Sequence, residues 1–131
     1  MEGPPAEIVD EAHITRDSGN EKNDVYNLIN TCREKNKVIE EAQLARFLAR
    51  LKVEANLSLF LSEIGPYVQG VTVDGLKACM NSCKYNKGKR AVVERMAALL
   101  PADTTDEQKE EIADVITANF EKNKAKKALG I

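Results

Sequence analysis

Apolar residues recur at i, i+3, i+4 and i+7 along most of the chain, the spacing that places them on one face of a helix. Val25, Leu28, Ile29 and Cys32 form one such stripe, and Leu44, Phe47, Leu48 and Leu51 a second. Leu57, Phe60, Leu61 and Ile64 form a third, and Leu76, Cys79, Met80 and Cys83 a fourth. Val93, Met96, Ala97 and Leu100 repeat it with one small member, and Ile112, Val115, Ile116 and Phe120 with the last position shifted by one. The pattern predicts six helices, near 23–35, 39–52, 54–64, 73–85, 88–100 and 104–123.

Punctuation residues agree with these limits. Thr104-Thr105-Asp106-Glu107 reads as a capping box in which Thr104 accepts the N3 amide and Glu107 reaches back. Thr72 and Asp74 open the fourth helix. Gly65-Pro66 stops the third, since glycine tolerates positive φ and proline cannot continue the hydrogen-bond ladder. Pro101 ends the fifth.

The stripes start at 25, 44, 57, 76, 93 and 112, so the chain-order pairs one–two, three–four and five–six share a step of 19. The expected fold is all-α: about six short amphipathic helices in a compact bundle, with three tandem helical hairpins as the alternative arrangement. The pairs recur after 32 and then 36 residues, near the period of tetratricopeptide-like arrays, but the Trp-Leu-Gly-Tyr-Ala-Pro pattern of those repeats is missing.

Charge divides the chain. Residues 1–24 hold seven acids and two bases, and the remaining 107 residues hold 14 acids and 17 bases. The first 22 residues also contain Gly3-Pro4-Pro5 and Asp17-Ser18-Gly19-Asn20 with few large apolar side chains, too little to offset the entropy of ordering. The expectation is an acidic, largely disordered tail over 1–22, with one short helix around Ile8–Ile14, followed by a helical domain over 23–131.

No apolar run approaches the roughly 18–20 residues of a membrane span, and MEGPPAEIVDEAH lacks the basic-then-apolar order of a secretory signal. With three cysteines and no such signal, the expectation is reduced thiols and a cytoplasmic or nuclear location. Cys32, Cys79 and Cys83 all sit on apolar stripes, where free cysteine packs as a small hydrophobe. Cys79 and Cys83 could supply two zinc ligands from one helix face, but the other candidates are only Cys32 and His13, so no metal is expected.

Catalysis is not expected either. His13 is the sole histidine and falls in the tail, which leaves a cysteine or serine nucleophile without a base. The carboxylates at Glu40/Glu41, Asp106/Glu107 and Glu110/Glu111 fall in first helical turns or on polar faces. Lys87-Gly88-Lys89 lacks the upstream glycine, the following Ser or Thr and the preceding strand of a phosphate-binding loop. No cofactor is implied.

What remains is the distribution of bases. Arg50 and Lys52 end the second helix. Lys84, Lys87, Lys89 and Arg90 follow the fourth, and Lys122, Lys124, Lys126 and Lys127 end the sixth. Cations at helix C-termini complement the dipole by about 0.3–1 kcal/mol each, but that does not call for four in seven residues. In stacked hairpins these ends would share one edge. The expected function is a non-catalytic protein–protein interaction module, an adaptor or scaffold, whose basic edge takes a partner with an acidic or helical motif. A nucleic-acid or anionic-lipid surface binder is the alternative. It is the weaker reading, because only Tyr85 stands among these bases as a stacking aromatic.

Overall fold

The computed structural model describes residues 21–131. The expected helix around Ile8–Ile14, and the tail up to residue 20, lie outside the described residues. The tail boundary shifts, because Glu21 and Lys22 already belong to the first helix. Seven α-helices follow in order: α1 Glu21–Lys35, α2 Glu41–Leu48, α3 Glu54–Ile64, α4 Val73–Asn81, α5 Asn86–Met96, α6 Asp106–Ala113 and α7 Asn119–Leu129. Short 3₁₀ turns at Gly65–Tyr67 and Ala97–Leu99 extend α3 and α5.

Five of the six expected helices are present, and the sixth is two. The run 104–123 breaks after Ala113, and Asn119 opens a separate helix. Phe120, taken as the last core member of that stripe, is 68% exposed, and Ala125 and Leu129 are the buried residues of α7. The capping box lies one residue later than expected. Thr105 accepts from the Gln108 amide at 3.1 Å, and the Gln108 side chain accepts from the Thr105 amide at 2.9 Å. Thr72 caps α4 as expected, accepting from the Gly75 amide at 2.9 Å. Gly65 stops α3 without positive φ: its φ is −46°, and the chain tightens into a 3₁₀ turn through Pro66. A left-handed exit appears instead at Asn36 (φ 51°) and Gly130 (φ 80°), which follow α1 and α7.

Packing follows a frame different from chain-order hairpins. The helices α1, α3, α5 and α7 start at 21, 54, 86 and 119, and α2, α4 and α6 start at 41, 73 and 106, so each set advances by 32 or 33 residues. Each helix packs on the one two places along: α1 on α3, α3 on α5, α5 on α7, α2 on α4 and α4 on α6. In register the repeating pair, or unit, is α2–α3, then α4–α5, then α6–α7, with α1 ahead of the first, and α4 also packs on α5 and α6 on α7.

The core repeats with this frame. Phe47, Cys79 and Ile112 occupy one buried position in successive units, and Leu48, Met80 and Ala113 the next. Phe60, Val92 and Ala125 occupy a third, and Ile64, Met96 and Leu129 a fourth. Phe47 and Phe60 pack together within the first unit, their rings tilted by 46° with centroids 4.7 Å apart. Backbone bonds repeat as well: the Ile39 amide donates to the Tyr67 carbonyl at 2.7 Å, and 32 residues later the Val71 amide donates to the Leu99 carbonyl at 3.2 Å.

Candidate functional site

The links inside each unit lie side by side. They are 49–53 between α2 and α3, 82–85 between α4 and α5, and 114–118 between α6 and α7. Side-chain latches hold this order. The Glu21 carboxylate accepts from the amides of Lys52 (2.8 Å) and Val53 (2.9 Å) and from the Asn56 side chain (2.9 Å), fixing the first link against α1. Lys87 pairs with Glu54 at 2.9 Å, joining the first turn of α5, just after the second link, to the first unit. Asn86 accepts from the Thr117 amide at 3.1 Å and donates to its hydroxyl at 3.0 Å, joining the third link to the second unit.

Between the first and second links runs a groove of about 500 Å³. Leu48, Leu51, Leu57 and Cys83 give it an apolar floor, and Lys52, Lys84 and Lys87 stand on its rim. Val53 and Tyr85 occupy equivalent positions 32 residues apart, as the N-cap residues of α3 and α5. Their extended backbones turn the side chains outward, leaving Val53 50% and Tyr85 73% exposed. Gly88 lets the α5 backbone close the far side: a Cβ there would stand 3.1 Å from Leu57 and 3.2 Å from Cys83. The glycine of Lys87-Gly88-Lys89 is thus a packing residue.

Burial governs the three thiols, of which Cys83 lines the groove. It pushes Cys79 up to about 12, with Cys83 and Glu41 adding to the shift. It raises Cys32 to about 11, and Cys83 to about 11 against the opposing pull of Lys89. All three are free and buried, the positions expected for them. Among the described residues, no three His, Cys, Asp or Glu side chains gather where they could hold a metal ion.

The eight expected edge residues fall into three groups. Lys84 lies in the second link, exposed, and makes no ion pair among the described residues. Lys87, Lys89 and Arg90 lie not at a helix exit but in the first half of α5, where the helix dipole disfavours cations. Each is compensated there: Lys87 by Glu54, Lys89 by the Cys83 carbonyl, and Arg90 by Glu121 at 2.9 Å. The Arg90–Glu121 pair is mostly buried, and charge rather than an aligned hydrogen bond holds it.

Lys122, Lys124, Lys126 and Lys127 run along α7, away from the groove. Lys122 pairs with Asp114 at 3.4 Å and Lys126 with Glu110 at 3.1 Å, both on or beside α6. Lys124 sits 5.0 Å over the Phe120 ring, and Lys127 is exposed in the last turn.

The structure thus brings Lys52, Lys84 and Lys87 to one groove and keeps the α7 lysines apart from it. Charge counting missed the apolar half of this site. The signal was present as Lys52-Val53 and Lys84-Tyr85, the same pair repeated at 32 residues. No described helix is long and apolar enough to cross a membrane. No protein-family model, curated protein or solved structure matches the chain.

Proposed function

We propose that this chain is a non-catalytic helical-repeat interaction module, and that its groove between links 49–53 and 82–85 receives a peptide combining acidic and apolar side chains. The observation that carries the reading is the exposed Val53 and Tyr85 beside an apolar floor with Lys84 on the rim. Exposed N-cap residues need no aromatic ring for capping, since Ser, Thr, Asp and Asn serve that role better. A ring there, flanked by a cation without an ion pair, suits an apolar anchor next to a carboxylate.

The remaining edge cations give less support to a phosphate-rich surface. Lys87, Arg90, Lys122 and Lys126 already face carboxylates of the same chain, and each would have to give up that partner first.

Fluorescence anisotropy with labelled peptides tests the reading. A peptide carrying both acids and aliphatics should bind, and Lys84→Glu and Tyr85→Ala should each weaken it by about 1–2 kcal/mol, the scale of an ordinary interface contact. Oligonucleotides and anionic vesicles serve as the contrast. Binding to either that falls steeply with salt and ignores Tyr85→Ala would replace this reading with the surface-binder alternative.

A further inference from the structure

The described chain begins at the groove. Glu21 opens α1 and its carboxylate is bonded to the amides of Lys52 and Val53, two residues that line the groove. Twenty residues precede it, with five acids and one base, whereas residues 21–131 hold 16 acids and 18 bases. Within those twenty, Glu7-Ile8-Val9-Asp10-Glu11 alone sets two adjacent branched aliphatics between carboxylates.

We propose that this segment, Glu7–Glu11, is an occupant of the groove in its own chain, with Ile8 and Val9 over the apolar floor beside Tyr85 and the flanking acids toward Lys84 and Lys52. The inference rests on the reading of the groove as an acidic-apolar peptide site, and it names which peptide.

Three facts favour the chain's own segment. The charges are complementary, −4 before Glu21 against +2 from Glu21 onward. The reach is ample: Glu11 lies ten residue steps before Glu21, a span of up to about 33–36 Å when extended, and Glu21 already touches the groove wall. Covalent attachment through so few residues also makes the encounter intramolecular, with an effective concentration on the order of millimolar. Even a Kd of about 0.1 mM then fills the groove in most molecules and weakens a competing peptide about tenfold. An outside ligand would have to displace this segment, so the segment sets the affinity threshold for partners.

The test uses the full chain in two measurements. In the first, a benzophenone residue at position 8 is photoactivated at low micromolar protein, and adducts are mapped by mass spectrometry. Adducts within 48–54 and 81–88 on a monomer-sized product are expected. Adducts of dimer size, meaning that a second copy fills the groove, or adducts scattered over other helices, would overturn the proposal.

In the second, a labelled peptide copying residues 5–15 is titrated into wild type and into an Ile8→Ser/Val9→Ser variant. The variant should bind about tenfold more tightly, and adding Tyr85→Ala or Lys84→Glu to it should remove that gain. Equal binding to both proteins would sink occupancy in cis while leaving the groove as a peptide site. Binding to neither would sink the groove reading itself.

Discussion

At the scale of single residues, Glu21 shows how one carboxylate can hold a turn of backbone. Burial pushes its carboxyl up, but bonds from the Lys52 amide, the Asn56 side chain and the Val53 amide outweigh that and hold it below the ordinary carboxylate value. As acid is added, the unfolded chain therefore takes up this proton before the folded chain does. The stability it contributes is complete above the ordinary carboxylate range and is lost as pH falls through that range toward the lowered value. Glu21→Gln should flatten that part of a urea-denaturation pH series, and Glu21→Ala should cost about 2–3 kcal/mol at pH 7, the scale of charged hydrogen bonds left unmade.

Cys79 has the opposite sign. Its thiol is raised, so stability is full below the ordinary thiol range and declines as pH climbs toward about 12. With so little thiolate at pH 8, native Cys79 should react with a disulfide reagent about 10³-fold more slowly than in urea. A fast native reaction would show that the thiol is reachable without unfolding.

At the scale of elements, latches between successive units set the spacing of the stack. Glu41, the first residue of α2, accepts from the Thr72 amide at 2.8 Å and from its hydroxyl at 2.9 Å, 31 residues on. Thr72 in turn caps α4 at Gly75, where an added Cβ would collide with the Glu41 carboxylate. Gly75→Ala thus sets two effects against each other: a gain of about 1 kcal/mol in helix propensity and the loss of charged hydrogen bonds worth about 1.5–3 kcal/mol. The latch should win, making Gly75→Ala destabilising by about 1 kcal/mol. In a Glu41→Ala background the same change should stabilise, and chemical denaturation of the four proteins in that cycle measures the reversal.

The elements most legible in sequence were α1 to α4, whose stripes hold an apolar residue or a cysteine at all four positions, since four such side chains at helical spacing leave little choice of face. The frame was not legible, because position 57 of the stripe becomes Lys89 in α5 and Lys122 in α7. Those side chains lay their stems along the surface and turn their ends to Cys83 and Asp114. A pattern counted in apolar letters therefore starts α5 at Val93 and reads 36 where the period is 32. The same counting joined α6 to α7, because Ala113, Ala125 and Leu129 are too small or too sparse to mark a second face. The groove was invisible for a related reason: its two walls are links that meet only after the units stack.

At the scale of the whole molecule, two of the four repeating core positions shrink along the stack. The position held by Phe60 becomes Val92 and then Ala125, and that of Leu48 becomes Met80 and then Ala113. Each lost methylene removes about 0.8 kcal/mol of burial, so the α6–α7 unit has the least apolar surface to hold it. Its attachment leans instead on polar ties to the unit before it: Asn86 to Thr117, Lys77 to Glu111 at 3.4 Å, and the mostly buried Arg90–Glu121 pair. In a stack whose units contact mainly their neighbours, stability is close to a sum of unit and interface terms, and the weakest end opens first. Native-state hydrogen exchange should therefore find α7 amides opening at lower free energy than those of α3. Arg90→Ala strands Glu121 with its charge partly buried, a loss between the 0–1 kcal/mol of exposed pairs and the 3–5 kcal/mol of buried ones, or about 2 kcal/mol. That loss should lower protection in α7 while leaving α2 and α3 near their wild-type values. Equal loss of protection in α2 and α3 would mean that the stack opens as one cooperative unit and that the shrinking of those core positions has no local consequence.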